Sequence, residues 1–420
     1  MEKKLIDSLK TIVAYIPMAG LMMVVFSLPF YYSALQRIGL YIYAAGFFMD
    51  YAVNRRWSGW TWSRDKWPYL FFLLFYLCLP LRQLFAPSHT SLYDAKLDGY
   101  FPFLCVGLMG LMEIKNPVKL KYIPWVMMVS CMVVSGMLLW GMRGSEAACF
   151  SDWLKEAYLL RIQRVHSHMG VNLYCNIALV FGFWFILRVP SKRWTKIVMG
   201  LLMLNAAALI ALSEGRIGQL TLVLILVFLP MVYAVLHRQW GLLSMGVVAL
   251  CAGLLIYNVN PRFQETSMKE NPRKYIWPVA VEIIKEKPLF GHGVSSARQE
   301  LITRGNNNVD YYSHYTLEYQ LTAPVYENGE INYQSMHPHN AFLETAMESG
   351  LVGCAILLLC LILPVICSPI GKDTWFLAAT IGAFGMQAMM ESFGAFLLTL
   401  WLPLLTLLWY SLAQSHKACA

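Results

Sequence analysis

The chain has 420 residues, of which 58% are hydrophobic and only 14% are charged. Soluble domains average about 25% charged residues, whereas segments of roughly 20 apolar residues, each long enough to cross a bilayer, recur along this whole sequence. The composition excludes an ordinary soluble protein and predicts an all-α polytopic membrane protein, in which the formal net charge of +9 bears mainly on orientation.

The hydrophobic pattern predicts twelve transmembrane helices. Nine precede a long polar segment and three follow it, at about 10–30, 34–53, 67–86, 97–114, 122–142, 166–188, 194–213, 217–236, 240–259, 339–365, 374–392 and 396–413. No short apolar segment ends in a small-residue cleavage site, so we expect no removable signal peptide. The predicted division is therefore 1–259 for helices 1–9, 260–338 for an extramembrane loop, and 339–420 for helices 10–12.

Lys and Arg residues in the short loops predict the orientation. If the N-terminus is cytoplasmic, seventeen of these residues fall on the cytoplasmic side and only eight on the other side. Both termini are therefore expected in the cytoplasm, and the 260–338 loop is expected on the opposite face of the membrane.

The long polar loop is the expected functional region, because loops of this length without structure of their own are usually functional. Residues 277–287 predict one short helix, with Pro278 in its first turn. Pro288 and the turn Gly291-His292-Gly293 are expected to end that helix. Residues 306–332 are rich in Asn and Tyr and predict a surface loop.

The ten cysteines do not predict a disulfide framework. Most of them lie in or beside apolar segments, where a free Cys behaves as a small hydrophobic residue. No C-x-x-C pattern occurs, which also argues against a metal site built from thiolates.

His337-Pro338-His339-Asn340 opens the tenth predicted helix. Pro is favoured at the first helical position, so the pattern predicts His337 as the N-cap and His339 in the first turn. There the helix dipole would keep the imidazole neutral, able to accept a proton, beside a place that can hold an anion. Two histidines lying in the lipid headgroup layer explain the motif equally well. A His-x-His metal pair is a third interpretation, but no carboxylate cluster completes it.

Glu344 and Glu348 follow Asn340 at intervals of four residues, so the three are expected to share one helix face. A carboxylate inside an apolar helix normally faces a cavity or a partner. The pattern favours structural pairing with a basic group over direct catalysis.

Several arginines fall on the predicted outer side: Arg216 in a tight turn, Arg273 before the loop helix, and Arg161 and Arg164 before the sixth span. A guanidinium group can bind two phosphate oxygens at once, so these residues suit a phosphate or diphosphate ligand. Arginines that only extend to the membrane interface are the alternative, which fits Arg161 and Arg164 better than Arg216. No P-loop, dinucleotide-binding or hydrolase motif occurs, and no cofactor is expected.

Three motifs carry a resemblance to a known family. They are Ser213-x-x-Arg216, Arg273-x-x-x-Trp277 followed by Pro288-Leu289-Phe290-Gly291-His292-Gly293, and His339-Asn340-x-x-Leu343-Glu344-x-x-x-x-Ser349-Gly350-Leu351. With about twelve predicted spans and one large loop, the chain resembles the O-antigen ligase and O-antigen polymerase superfamily of bacterial inner-membrane glycosyltransferases. The resemblance covers residues 200–360.

The resemblance implies a GT-C-like enzyme that transfers a glycan, without a metal, from undecaprenyl diphosphate to an acceptor hydroxyl at the periplasmic face. In the ligase branch the acceptor is the lipid A–core oligosaccharide. The family's histidine falls on His339, and its diphosphate-binding arginines fall on Arg216 and Arg273. Displacement in a single step would invert the anomeric centre, with His339, or less favourably His337, as general base.

Other functions remain open at this point. A polysaccharide polymerase and a protein O-oligosaccharyltransferase would use the same donor, and only the single large loop and the His-Asn motif favour the ligase. A transporter of lipid-linked glycans would need polar groups near the middle of the membrane, and the first nine spans offer few, with Asn176 and Asn205 the clearest.

Overall fold

The fold comes from a computed structural model, which describes 2–30, 33–53, 62–84, 97–112, 120–141, 168–213, 216–238, 247, 250–251, 273–306, 325–327, 330–332, 338–390 and 396–417. Thirteen α-helices have described bounds. They are α1 (Glu2–Ser27), α2 (Ser33–Val53), α3 (Trp67–Leu84), α4 (Leu97–Leu111), α5 (Ile123–Gly141), α6 (His168–Arg188), α7 (Arg193–Ala211), α8 (Arg216–His237), α9 (Arg273–Glu286), α10 (Val294–Asn306), α11 (Ala341–Ile366), α12 (Thr374–Ala388) and α13 (Phe396–Lys417). Strands β1 (Val325–Glu327) and β2 (Glu330–Asn332) form an antiparallel hairpin.

The predicted helical architecture agrees with these elements. Eleven of the twelve predicted spans coincide with a described helix, while the ninth, 240–259, lies almost wholly outside the described residues. Six of the described helices contain stretches long and apolar enough to cross a membrane: Lys10–Ser27, Ile123–Trp140, Met169–Arg188, Arg193–Ala211, Arg216–Leu236 and Ala341–Ile366. The total of twelve spans and the three-part division of the chain stay predictions.

Helix α6 lies at the centre of the bundle. Its apolar stretch is 78% buried, whereas the apolar stretches of the other five helices named above are 28–39% buried. The ring of Phe181 stacks on that of Trp409 from α13 with 4.5 Å between centroids, and Phe376 of α12 lies parallel to the same indole. A helix that is apolar all round, as α6 is, belongs inside a bundle.

Helices α1 and α2 form a tightly packed hairpin. A Cβ at Gly20 would lie only 2.8 Å from the carbonyl oxygen of Gly39, so the absence of side chains lets the two backbones approach. Gln36 donates to the carbonyls of Ser27 and Phe30 and closes the turn between the helices.

Polar contacts show which helix ends meet. At one end, which we call the far end, Arg188 at the end of α6 pairs with Asp373 before α12 at 2.7 Å. There Arg64, before α3, also donates to the carbonyl of Ile366 at the end of α11. The opposite end, the site end, is therefore where α3 and α12 finish and where α6 and α11 begin.

Helices α9 and α10 pack against each other and against α11 at the site end. Ile276 and Ile283 of α9 form a small hydrophobic cluster with Ala297 and Leu301 of α10 and Met347 of α11. Arg304 of α10 bonds to Glu286 of α9 at 2.7 Å, and this bond lowers the pKa of the Glu286 carboxyl.

One expectation for the loop was wrong, and one helix was missed. Helix α9 begins at Arg273, one turn before the predicted start, so Pro278 lies in its interior. Helix α10 was not predicted, because its sequence is largely polar and its buried face is narrow.

Candidate functional site

The turn before Arg216 is held by three side-chain amides, of which Asn172 and Asn176 are buried. Asn172 of α6 donates to the hydroxyl of Ser213 at 2.6 Å, and Gln219 donates to the carbonyl of the same residue. Asn176 donates to the carbonyl of Gly218, whose missing side chain leaves room for Asn172. These bonds fix the backbone on both sides of 214–215 and place Arg216, which is exposed, at the N-terminus of α8.

One face of α9 carries two polar side chains that bind other helices. Arg273 donates to the carbonyl of Met390, just beyond the end of α12, at 3.1 Å. Trp277, one turn later, donates through its indole N–H to the carbonyl of Pro338 at 2.9 Å. Residues four apart face the same side of a helix. Helix α9 therefore connects the end of α12 with the start of α11.

Arg216 and Arg273 lie at a similar height along the bundle axis, beside the end of α12. Thr221 of α8 donates to the sulfur of Met386, and Arg273 binds the carbonyl of Met390. Arg216 precedes Thr221 by about 7.5 Å along its helix, and Met390 follows Met386 by about 6 Å. Because α8 starts at the site end and α12 finishes there, the structure brings both arginines to one region.

The predicted cap of α11 was wrong. Asn340 is the N-cap, because its side-chain oxygen accepts from the N–H groups of Phe342 and Leu343, each at 3.0 Å. His339 therefore precedes the helix instead of lying in its first turn, and its φ is +46°. Pro338 was expected at the first helical position. The helix starts later because the short amide side chain of Asn340 binds two free N–H groups there. His337 lies outside the described residues.

The cap gives a test of this boundary. Asn340→Ala removes both bonds, and we expect a loss of about 1 kcal/mol in the free energy of unfolding. Asn340→Asp keeps the acceptor and is the matched control. Thermal unfolding in detergent measures both variants, and an alanine variant as stable as the wild-type protein would place the cap elsewhere.

Glu344 and Glu348 are both buried in the first half of α11, each with 5% exposure. Tyr100 of α4 is also buried and lies within electrostatic reach of both carboxylates. Their burial agrees with the expectation that a carboxylate in an apolar helix faces a cavity or a partner, while their pairing with a basic group stays a prediction. Glu344 lies in the first turn of α11, where the helix dipole favours a carboxylate.

Helix α11 is broken at Gly350, where φ is +68° and ψ is −171°. The break removes the two helical bonds that Leu351 and Val352 would make to Met347 and Glu348. Residues 288–293 replace them. His292 and Gly293 donate to the carbonyls of Met347 and Glu348, while Leu351 and Val352 donate to the carbonyls of Pro288 and Leu289. We call this arrangement the inserted segment.

Two residues that sequence reasoning left without a role hold the inserted segment. Arg82 at the end of α3 is buried and donates to the carbonyl of Gly291. His292 is buried and its Nε2 lies 2.9 Å from the carbonyl oxygen of Ile283, so it ties the segment to α9. The contacts of His292 assign it a structural role, although it stands in one of the three motifs.

The remaining predicted site residues are not placed by the structure. Arg161 and Arg164 lie outside the described residues, as does His337. Over the part of the chain that is described, no three His, Cys, Asp or Glu side chains form a group that could hold a metal ion. The eight cysteines within that part are free thiols.

The region from α7 to α11 matches a known family. Residues 201–358 match the family model described as O-antigen ligase. Residues 201–358 therefore resemble a domain of the O-antigen ligase and polymerase superfamily. All three motifs lie within the matched residues, so the expected resemblance is confirmed. No curated protein matches the chain significantly.

The match of residues 201–358 to the O-antigen ligase family agrees with the apolar helices of the fold. Members are glycosyltransferase-like enzymes of the membrane. Together with the six long apolar helices, the match indicates a helical membrane protein.

Proposed function

We propose that the protein is an O-antigen ligase of the bacterial inner membrane. It transfers a glycan from undecaprenyl diphosphate to a hydroxyl of the lipid A–core oligosaccharide, at the periplasmic face and with inversion. The observation that supports the proposal is that Arg216, Arg273 and the His339 segment all lie at the site end of the bundle, in a region that matches the O-antigen ligase family.

Arg216 and Arg273 bind the diphosphate in this proposal. Departure of undecaprenyl diphosphate leaves negative charge on the leaving group, which guanidinium groups stabilise electrostatically. The N-terminus of α8, where Arg216 lies, adds free N–H groups and the positive end of a helix dipole. Arg161 and Arg164, predicted on the same side of the membrane, are assigned to the same diphosphate.

His339 is the general base that takes the proton of the acceptor hydroxyl, with His337 as the alternative base. The base acts as the acceptor oxygen forms its bond to the anomeric carbon and the bond from that carbon to the diphosphate breaks. Asn340 supports His339 by fixing the start of α11, and Glu344 supplies a carboxylate one turn beyond it.

The internal amides support an enzyme more than a transporter. Asn176 binds the carbonyl of Gly218, and Asn205 accepts from Ser135 at 2.9 Å. These bonds join α6 to α8 and α5 to α7. The two amides thus act as helix-to-helix contacts.

Reconstitution tests the proposal. Purified protein in proteoliposomes is given undecaprenyl diphosphate-linked glycan together with lipid A–core, a second lipid-linked glycan or a periplasmic protein, each separately and with EDTA present. We expect product when lipid A–core is the acceptor and none with the other two acceptors. We expect NMR to show that the anomeric configuration of the product is inverted.

Each other result has a defined meaning. Product with the second lipid-linked glycan would identify a polymerase, and product with the protein would identify an oligosaccharyltransferase. If no acceptor gives product and labelled lipid-linked glycan crosses the bilayer, the protein is a transporter and not a transferase.

A further inference from the structure

Trp277 makes a polar contact between α9 and the segment leading into α11. Its indole N–H donates to the carbonyl of Pro338, and the ring packs on the hydrophobic cluster of α9 and α10. That carbonyl belongs to the peptide that joins Pro338 to His339. The bond therefore fixes the orientation of the peptide plane that precedes the Cα atom of His339.

His339 adopts a backbone conformation that needs support. Its φ of +46° lies in the left-handed region, which residues with a Cβ rarely occupy. Such a conformation persists where the surroundings determine it on both sides, and it occurs preferentially at functional sites. After His339, the two cap bonds of Asn340 fix the chain. Before it, the Trp277 bond does so.

We propose that Trp277 is a positioning residue for His339. The indole N–H holds the peptide before His339, and this sets the direction of the imidazole towards the acceptor hydroxyl. The proposal rests on the proposed function. It also explains why Trp277 and Arg273 share a face of α9: one short helix sets the distance between the group that binds the leaving diphosphate and the base.

Two variants that lack the indole N–H test the idea. Trp277→Phe keeps an aromatic ring. Replacing Trp277 with 3-benzothienylalanine, introduced by amber suppression, keeps the bicyclic shape with sulfur in place of the N–H. Trp194→Phe is the matched control, because Trp194 is 62% exposed near the start of α7 at the far end. Thermal unfolding checks that each variant folds.

The first measurement does not need activity. Diethylpyrocarbonate modifies accessible imidazoles, and peptide mass spectrometry gives the rate at His339, with the buried His292 as internal reference. We expect the rate at His339 to rise by about threefold or more in both Trp277 variants, since loss of one bond loosens the segment. We expect no change in Trp194→Phe.

The second measurement is transfer in proteoliposomes. A misplaced base lowers kcat, by about tenfold in both Trp277 variants, and leaves KM for the lipid-linked donor unchanged. If His339 reacts at the wild-type rate in both variants, the proposal is overturned even if kcat falls. The fall in kcat would then have a cause other than a displaced His339. Wild-type protein that makes no product would instead contradict the proposed function, and the modification rates alone would decide the role of Trp277.

Discussion

His339→Asn is expected to lower kcat for glycan transfer by about 10²–10⁴-fold, the usual contribution of a general base. Asn removes the ring nitrogen that accepts the proton, yet it tolerates a positive φ as His does. The backbone at φ +46° is therefore kept. Alanine would be the poorer choice, because it combines loss of the base with backbone strain.

The measurement is steady-state transfer with saturating donor, together with thermal unfolding. We expect an unchanged unfolding temperature and an unchanged affinity for the lipid-linked donor. A variant that retains a third or more of the wild-type rate would remove His339 as the base. The same substitution at His337 then becomes the next experiment.

Gly350→Ala is expected to destabilise the protein by about 3 kcal/mol or more and to abolish transfer. The conformation at Gly350 is one that residues with a Cβ hardly adopt, and the added Cβ would collide with the carbonyl of Leu289. Backbone atoms cannot rotate away as a side chain can. The inserted segment would therefore leave α11, and α9 with Arg273 and Trp277 would move with it.

Gly382→Ala is the control for this prediction. Gly382 lies in α12 with open space where its Cβ would be, so alanine should be neutral or slightly stabilising there. Unfolding temperature and transfer rate are measured for both variants. A Gly350→Ala protein with wild-type stability would contradict the hydrogen-bond exchange between residues 288–293 and α11.

Hydrophobic periodicity and length predicted the helices of the bundle well, since each apolar stretch is a local property of the chain. The starts of α9 and α11 were less predictable because signals competed. Pro338 and Asn340 both mark helix starts, and only the contacts of the Asn340 side chain decide between them. Helix α10 offered little to detect, because its buried positions are few and include a small residue, Ala297.

The candidate site was predictable in its residue types but not in its connections. Arg216, Arg273 and His339 stood out because ionisable groups beside apolar helices need a reason. The partners Met390, Pro338 and Gly291 contribute only backbone carbonyls, which no side-chain pattern reveals. Gly350 was read as part of a motif, and its role as a helix break depends on residues some sixty positions earlier.

The break in α11 has a consequence for biogenesis. If α11 were broken at Gly350 before residues 288–293 reached it, two carbonyls and two N–H groups would be unpaired in the bilayer, and each such group costs several kcal/mol. The last third of the chain should therefore assemble in a set order, with α9 and α10 folding before α11 is secured. Pulse proteolysis of nascent chains can follow this order. Residues 288–293 should become protected only after α11 has been synthesised, and protection in chains that stop before residue 341 would show that the helix is not required.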